Sequence, residues 1–580
     1  MRLPGGAYRT LLLTYLRPQW PSVLALAVLL LGSISLQLLN PQILRAFIDT
    51  ARASGSLATL NRTALLFLAV VAAGQVVAVG VTAQSERVGW NATNRLREDL
   101  ALHCLRLPLA FHTVHTPGEL IQRVDGDVDA LTNFFTQFVL RILGNGLLLA
   151  GILAVLSWED RRLGLLLGAF SAVAIVVLLR MKRVAVPFFK AHRQAFADLT
   201  SFWEERITGA EDLRACGAVP YTMRHHYALL GTHMGRARLG NVMGRVMQST
   251  AELLLALGTA GSIAAGAYLV RGGAISLGTL YLVLAYTNLI AWNLLQITMQ
   301  LDDLQKAVGA AERIGELYQI PALPARATAA IIPPGAPSIV FEHVSFGYAA
   351  GVPILADVSF CLESGRVLGL LGRTGSGKTT LIRLLARFYD PDQGVIRLNG
   401  VDIQDTAPAR LRRRLGVVTQ EVQLFHASVR DNLALFDDTI SDERIHWAIR
   451  ALGLDAWLAS LPRGLATELS GESGLSAGQA QLLAFARVFL QEPDVVILDE
   501  ASSRLDPATE RLIGRAVERL IAGRTTIIIA HRLETVQRVD DILILEAGRI
   551  VERGQRALLA QDSDSRFSHL LRTGFAEVLA

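Results

Sequence analysis

The chain has 580 residues, of which 51% are hydrophobic and 18% are charged, and its mean hydropathy is +0.38. These values argue against an entirely water-exposed chain and indicate that part of it lies in a membrane. Three widely spaced cysteines exclude a disulfide framework or a cysteine metal motif. The net charge of +5 comes mostly from basic residues that flank apolar runs, which argues against a nucleic-acid partner.

Six charge-free runs are each near or above the ~17 to 25 residues that a membrane-spanning helix needs. They cover Pro18–Leu44, Thr63–Ser85, Ile142–Trp158, Leu163–Leu179, Leu253–Val270 and Gly272–Leu301. The first run is too long for a signal-peptide core, and no small-residue cleavage site follows it, so we expect it to stay as a membrane helix. The sequence therefore predicts an all-α membrane domain that crosses the bilayer six times.

The segments between these runs predict the orientation. Glu86–Asp129 and Arg180–Gln248 are long and rich in arginine, as is the amino terminus, whereas the connections on the other side are short. Because basic segments stay in the cytoplasm, we expect both termini there and the chain in the plasma (inner) membrane. The two long segments are interpreted as helical extensions that turn back near Pro117–Gly118 and near Gly209.

A linker follows the last apolar run. Between Ile320 and Pro337 the sequence reads IPALPARATAAIIPPGAP, whose prolines and alanines are typical of an interdomain connection. The predicted organisation is a membrane domain with its cytoplasmic extensions over residues 1–320, a linker over residues 321–337 and a second, α/β domain over residues 338–580.

The second domain contains GLLGRTGSGKTTLIRLL, from Gly369 to Leu385. It matches G-x-x-x-x-G-K-[ST] between a predicted strand, Val367–Leu371, and a predicted helix, Thr380–Arg387. The glycines let backbone N–H groups point inward around phosphate oxygens, and Lys378, one of only four lysines in the chain, adds a positive charge. Thr379 offers a hydroxyl to Mg²⁺. The predicted phosphate cradle comprises Gly372, Arg373, Thr374, Gly375, Ser376, Gly377, Lys378, Thr379 and Thr380.

Two further predicted strands end in chemically useful residues. DVVILDE places Asp499 and Glu500 at the end of an apolar strand, where the first carboxylate suits the Mg²⁺ shell and the second can polarise an attacking water. TTIIIAHRL presents His531 at the end of another strand, within the reach of a γ-phosphate. Each feature alone is common at the end of a strand. Together with the cradle, they predict a site that hydrolyses a nucleoside triphosphate.

These motifs, with Tyr348 in VSFGY, Gln420 in LGVVTQ, LSAGQ at Leu475–Gln479, and SSRLD, occur in the order found in an ATP-binding cassette ATPase. The whole chain resembles an ABC exporter half-transporter, with six membrane helices followed by one cassette. The segments His115–Leu131 and Glu205–Ala218 resemble the two coupling-helix regions of that family. The resemblance implies ATP and Mg²⁺ as cofactors and a second half-transporter as the partner.

The resemblance also implies a role for each matching residue. Tyr348 stacks on adenine, Gln420 contacts Mg²⁺ and the attacking water, Glu500 is the general base and His531 contacts the γ-phosphate. Thr379, Gln420 and Asp499 are the implied metal ligands. The signature residues Ser476, Gly478 and Gln479 close over ATP held by the other subunit, since the site of this family forms at a dimer interface.

The chain departs from the family in its signature and in its D-loop. Ala477 replaces the first glycine of the usual Leu-Ser-Gly-Gly-Gln, and Arg504 stands where a small or uncharged residue is usual. A methyl group close to a phosphate is expected to weaken closure, which favours a heterodimer with unequal ATP sites. Sequence drift in a fully active homodimer is the alternative.

The predicted function is ATP-driven export of an amphipathic drug, lipid or peptide by alternating access. A polar and aromatic set in the last run either lines a cavity or makes helix–helix hydrogen bonds; it comprises Tyr286, Asn288, Trp292, Asn293 and Gln296. Two alternatives are a soluble cassette protein, which would lack six membrane spans, and an importer of a metal chelate built on the exporter fold.

Overall fold

The computed structural model describes residues 14–321, 330–349, 351–419, 422–469, 475–499, 507–530 and 536–573. The chain divides into two compact units. The first comprises Met1–Leu105 and Pro117–Ile320, and the second comprises Arg106–Thr116 and Pro321–Ala580. The short segment Arg106–Thr116 belongs to the second unit, where Leu109 packs against an apolar core.

The first unit is helical. Its main helices are α1 (Trp20–Arg52), α2 (Leu57–Arg106), α4 (Pro117–Ile121), α5 (Val128–Gln137), α6 (Asn145–Glu159), α7 (Arg161–Thr208), α8 (Ala210–Ala215), α9 (Val219–Arg271) and α10 (Leu277–Gln319); α3 (Leu109–Val114) lies in the segment that belongs to the second unit. Among the described residues, six helical stretches are long and apolar enough to cross a membrane. The predicted fold class of this half of the chain is confirmed.

Local capping explains where the long helices begin. The Asp160 carboxylate accepts a hydrogen bond from the Arg162 N–H at 2.7 Å, and the Ser276 hydroxyl accepts one from the Thr279 N–H at 3.0 Å. Each supplies an acceptor to a helix N-terminus that otherwise has unpaired N–H groups. The last membrane helix accordingly begins at Leu277 rather than at Gly272, where its charge-free run begins.

The two predicted turns differ in outcome. Gly209 ends α7 as predicted. Pro117, by contrast, begins α4 instead of breaking a helix, and the chain turns just before it, around α3. Proline is compatible with the first turn of a helix because the N–H that it lacks has no helical partner there.

Two π-helical turns, Gln122–Asp127 and Phe138–Gly144, interrupt the helix that leads into the third span. At the end of the first turn, Asp127 is only 4% exposed and accepts two hydrogen bonds from the Arg313 guanidinium of α10. Asp125 and Asp129 pair with Arg97 of α2. Ion pairs therefore join this helix to α2 and to α10.

The described residues of the second unit form three β-sheets. Its strands are β1 (Ile339–Phe346), β2 (Leu355–Leu362), β3 (Val367–Leu371), β4 (Gln393–Leu398), β5 (Val401–Asp402), β6 (Leu415–Val418), β7 (Ala427–Ser428), β8 (Glu468–Leu469), β9 (Val495–Asp499), β10 (Thr525–Ile529), β11 (Asp541–Glu546) and β12 (Arg549–Gln555). The sheet orders are β2-β1-β4-β5, β12-β11-β3-β10-β9-β6 and β7-β8. In the six-stranded sheet, β11, β3, β10, β9 and β6 run parallel and β12 is antiparallel.

The helices of this unit pack on two apolar cores. They are α11 (Lys378–Leu385), α12 (Pro408–Arg413), α13 (Val429–Ala434), α14 (Asp442–Leu452), α15 (Asp455–Ser460), α16 (Ala477–Gln491), α17 (Pro507–Ile521), α18 (Arg556–Gln561) and α19 (Arg566–Thr573). In one core, α11 packs against the four-stranded sheet. In the other, the five helices from α13 through α17 pack against the six-stranded sheet. The predicted α/β class of this domain is confirmed.

Candidate functional site

The predicted phosphate cradle forms a loop between β3 and α11. All five residues of β3 are buried, and the helix begins at Lys378, two residues earlier than predicted. The loop is tied to its surroundings by the Gly548 N–H, which donates to the Ser376 carbonyl at 3.2 Å. Its N–H groups and the start of α11 therefore provide the donors and the positive helix end that an anion needs.

Glycine is required at two positions of this loop. Gly372 has φ +148°, and a Cβ there would lie 2.2 Å from the Leu545 carbonyl oxygen. Gly377 has φ +105°, and a Cβ there would lie 2.6 Å from a methyl of Leu355. At Gly372 the backbone oxygen of Leu545 thus leaves no room for a side chain, and at Gly377 the backbone conformation itself disfavours one.

Lys378 and Ser376 fit a phosphate-bearing ligand. Lys378 is buried, with only 7% of the residue exposed. Its ammonium group donates to the carbonyls of Gly372 at 2.6 Å and Arg373 at 3.0 Å, so the side chain lies across the loop. The buried Ser376 Oγ has no hydrogen-bond partner among the described residues. A buried hydroxyl without a partner is costly, and a phosphate oxygen would satisfy it.

Asp499 lies at the same edge of the sheet as the cradle. Ile529 of β10 is in register with Leu370 on one side and with Asp499 on the other. The carboxyl ends of the parallel strands β3 and β9 therefore meet at one level, with only β10 between them. A carboxylate and the Thr379 hydroxyl are hard oxygen donors, which suit Mg²⁺.

Tyr348 follows β1, and neighbouring side chains contact both its hydroxyl and its ring. Its hydroxyl lies 3.2 Å from Thr380 Oγ1 and accepts a hydrogen bond from Arg383 at 3.1 Å. Phe346 and Tyr389 contact the ring at near-perpendicular angles, and the Arg383 guanidinium lies over it, 5.9 Å from the ring centroid, yet the residue stays 46% exposed. An aromatic ring that is positioned by its neighbours and still partly exposed is suited to stack on a base.

The signature residues begin α16 with a capping box. The Ser476 hydroxyl accepts from the Gln479 N–H at 3.2 Å, and the Gln479 side-chain oxygen accepts from the Ser476 N–H at 3.1 Å. Gly478 is buried in the first turn. The helix packs in the other apolar core, not in the core that holds α11.

Three of the predicted residues, Gln420, Glu500 and His531, lie outside the described residues, as does Arg504. The strands before Glu500 and His531 are β9, which ends at Asp499, and β10, which ends at Ile529. Their positions in the site therefore stay predictions.

Sequence reasoning missed Arg487, in the middle of α16. It donates to the carbonyls of Gln423 at 2.9 Å and Asn432 at 2.7 Å, and burial lowers its pKa. It joins the signature helix to the segment that follows Gln420. Its only sequence signal is one charge within the apolar run LLAFARVFL.

Two members of the polar and aromatic set in the last apolar run make hydrogen bonds to helix carbonyls, which favours a role in helix packing for them. The hydroxyl of the fully buried Tyr286 donates to the Leu38 carbonyl of α1 at 2.7 Å, and the Asn288 amide donates to Leu284 within its own helix. Asn293 is different, because its buried amide nitrogen has no partner among the described residues.

Comparison with known proteins agrees with this architecture. Residues 23–294 match the family model of the ABC transporter transmembrane region, and residues 355–503 match the model of the ABC transporter. The chain is 30% identical over 574 residues to the ATP-dependent lipid A-core flippase of Chromohalobacter salexigens, covering 98% of each chain. It is 32% identical over 510 residues to a fatty acid ABC transporter ATP-binding/permease protein of Mycobacterium tuberculosis, covering 87% of this chain and 80% of that one.

The chain belongs to the ABC transporter family. The structure of a bacterial Atm1-family ABC exporter with ATP bound shares its fold, with a TM-score of 0.82, 24% identity and coverage of 95% of this chain and 98% of that one. As an ABC transporter of the exporter type, the protein is an integral membrane ATPase that couples hydrolysis to transport.

Proposed function

We propose that this protein is one subunit of an ATP-driven exporter that moves an amphipathic drug, lipid or peptide out of the cytoplasm. The observation that carries the proposal is the pairing, in one chain, of six membrane-crossing helical stretches with a phosphate cradle at the edge of a parallel sheet. The relatives named above act on a fatty acid and on lipid A-core, which are both amphipathic. The domain boundaries are those given by the sequence, at residues 320 and 338.

Mg²⁺ and ATP are the proposed cofactors. The cradle Gly372–Thr380 holds the phosphates, Tyr348 stacks on adenine, and Thr379, Gln420 and Asp499 hold the metal. Bound Mg²⁺ neutralises charge that develops on the phosphates. Glu500 takes the proton of the attacking water, and His531 contacts the γ-phosphate.

The proposed assembly is a heterodimer. Exporter half-transporters of this family function as dimers. One feature supports an ATP site that two subunits share, and another supports unequal partners. The signature helix α16 packs in a different core from the cradle helix α11, which agrees with a signature that serves the partner's ATP. The signature that this chain offers contains Ala477, while its own set of catalytic residues is complete in sequence.

The proposed location is the inner membrane, with both termini in the cytoplasm. In this orientation the arginine-rich extensions of the second to fifth membrane-crossing stretches lie in the cytoplasm, as the positive-inside rule requires. Protease protection of a tag at either end, in right-side-out and inside-out vesicles, tests this orientation.

The decisive experiment is transport by the reconstituted protein. Vesicles that contain the chain with its partner should accumulate an amphipathic dye or labelled lipid only when ATP is supplied on the side of the ATP-binding domains. Movement in the opposite direction would instead identify the importer alternative. Purification of the chain alone tests the assembly, because a stable, fully active homodimer would refute the heterodimer.

A further inference from the structure

The helical hairpin formed by α7 and α9 carries charge of a single sign over a long stretch. Between Arg161 and Asp198, α7 has no acidic residue, and α9 has none between Val219 and Glu252. The cations in these stretches beyond the charge-free runs are Arg180, Lys182, Arg183, Lys190, Arg193, Arg224, Arg236, Arg238 and Arg245.

The two helices lie side by side, so their charges form one surface. A Cβ at Gly244 would lie 3.7 Å from the Phe189 ring, and one at Gly240 would lie 3.5 Å from His192. Further along, the rings of Trp203 and His226 are 5.0 Å apart. Since these contacts join residues in reverse order, the helices are antiparallel, and Arg245 lies near the level of Phe189.

Two arginines of the other helical extensions pair with nearby acids. Arg97 of α2 pairs with Asp125 and Asp129, and Arg313 of α10 pairs with Asp127. Arg180, Arg183 and Arg245 are exposed and make no ion pair with any residue that the structure describes. Arg245 donates a hydrogen bond to the Gln248 side chain at 3.1 Å, but no acidic residue of the described part of the chain neutralises any of the three.

These three arginines, which we call the juxtamembrane cluster, lie close to the ends of the fourth and fifth charge-free runs. At about 1.5 Å per residue, Arg180 directly follows Leu179 and Arg183 lies ~6 Å beyond Leu179 along the helix axis. Arg245 lies ~12 Å from Leu253 along α9. The headgroup layer extends roughly 5 to 8 Å beyond the hydrocarbon, and arginine side chains reach several ångströms toward it. Exposed valines at 184, 186, 242 and 246 lie among the arginines.

We propose that the juxtamembrane cluster binds the phosphate headgroups of anionic phospholipid in the leaflet on that side of the membrane, which is the cytoplasmic leaflet in the orientation above. The charge complementarity is direct, because a guanidinium and a phosphate form bidentate hydrogen bonds. Exposed apolar residues between the cations match the boundary between headgroup and acyl chain. The cluster thereby fixes the depth of α7 and α9 in the bilayer.

The test uses the assembled full-length protein in neutral detergent, titrated with fluorescent phosphatidylglycerol and, in parallel, with fluorescent phosphatidylcholine. The variant that replaces all three arginines, Arg180→Gln, Arg183→Gln and Arg245→Gln, should bind phosphatidylglycerol on the order of 100-fold more weakly, at about fivefold per cation. Replacement of the same three by lysine should preserve most of the binding, and added salt should weaken it in the wild type.

The matched control removes the same charge from the same hairpin far from the bilayer, with Arg193→Gln, Arg224→Gln and Arg236→Gln. These residues lie about 21 to 43 Å from the charge-free runs by helical rise, so phosphatidylglycerol affinity should not change. Equal losses in the two triple variants, or equal wild-type affinity for the two lipids, would overturn the proposal. The proposal would also be overturned if the variant of the juxtamembrane cluster changed its oligomeric state but kept its lipid affinity. A second chain, rather than lipid, would then cover the cluster. If that variant does not assemble, Arg245→Gln alone must show the fivefold loss.

Discussion

Arg487 donates hydrogen bonds to both the carbonyl oxygen and the side-chain oxygen of Asn432, at 2.7 Å and 3.1 Å. Asn432 is fully buried, and its side chain in turn bonds both the N–H and the carbonyl of Phe425. One arginine of the signature helix thus fixes α13 and the segment after Gln420 together. Motion of either element is expected to be transmitted to the other through this pair.

The first prediction concerns this arginine. Arg487→Met should lower the stability of the ATP-binding region by about 1.5 to 3 kcal/mol, since it leaves buried acceptors without a charged donor. The midpoint of thermal unfolding should fall by about 2 to 4 °C per kcal/mol. Arg444→Met is the control, because its pair with Glu492 is largely exposed and should be worth at most about 1 kcal/mol. Equal shifts in the two variants would contradict this assignment.

Lys378→Ala should weaken ATP binding by about ten- to a hundredfold, the loss expected when one charge-assisted hydrogen bond to phosphate is removed. Titration with a fluorescent ATP analogue measures this effect. Lys306→Ala, which removes an exposed lysine paired with Asp303, is the control and should bind ATP normally. Unchanged affinity in Lys378→Ala would disprove the cradle assignment.

Glu500→Gln should behave differently. ATP binding should stay intact while turnover falls by ~10² to 10⁴, which is the usual contribution of a general base. The measurement is steady-state hydrolysis with the partner's own site disabled, combined with the same titration. Hydrolysis near the wild-type rate would remove Glu500 from this role.

Gly372→Ala should abolish ATP binding, because the added methyl would overlap the Leu545 carbonyl oxygen at 2.2 Å. Gly365→Ala is a matched control outside the cradle. That residue has φ +72° but open space around its Cβ, so only backbone strain of about 1 to 2 kcal/mol is expected and ATP binding should persist. Retained nucleotide binding in Gly372→Ala would show that the loop can move away from Leu545.

Ala477→Gly tests the altered signature. If its methyl hinders closure over the partner's ATP, hydrolysis at the partner's site should rise by about five- to a hundredfold, since relief of a close contact is worth on the order of 1 to 3 kcal/mol. Hydrolysis at this chain's own cradle should not change. Selective inactivation of one site at a time separates the two rates, and an equal rise at both sites would exclude the proposed mechanism.

The sequence was most informative where a feature depends on neighbouring residues. Charge-free runs predicted the six spans, and the apolar runs before Gly372 and after Asp494 predicted β3 and β9. The π-helical turn before Val128 was not predictable, because it depends on packing against distant helices. Pro117 at the start of α4 instead follows a local rule, the preference of proline for the first helical position, which our sequence interpretation did not apply. Arg487 escaped notice for a similar reason, since its acceptors lie more than 50 residues away in the chain.

The capping box at the start of α16 also determines what kind of ligand that helix end can recognise. It uses the side-chain oxygens of Ser476 and Gln479 as acceptors for backbone N–H groups. The polar hydrogens of the serine hydroxyl and of the glutamine amide are donors, and neither bond consumes them. Together with the positive end of the helix, these hydrogens stay available to an approaching oxyanion. This helix end is therefore expected to favour an anionic ligand over a cationic one.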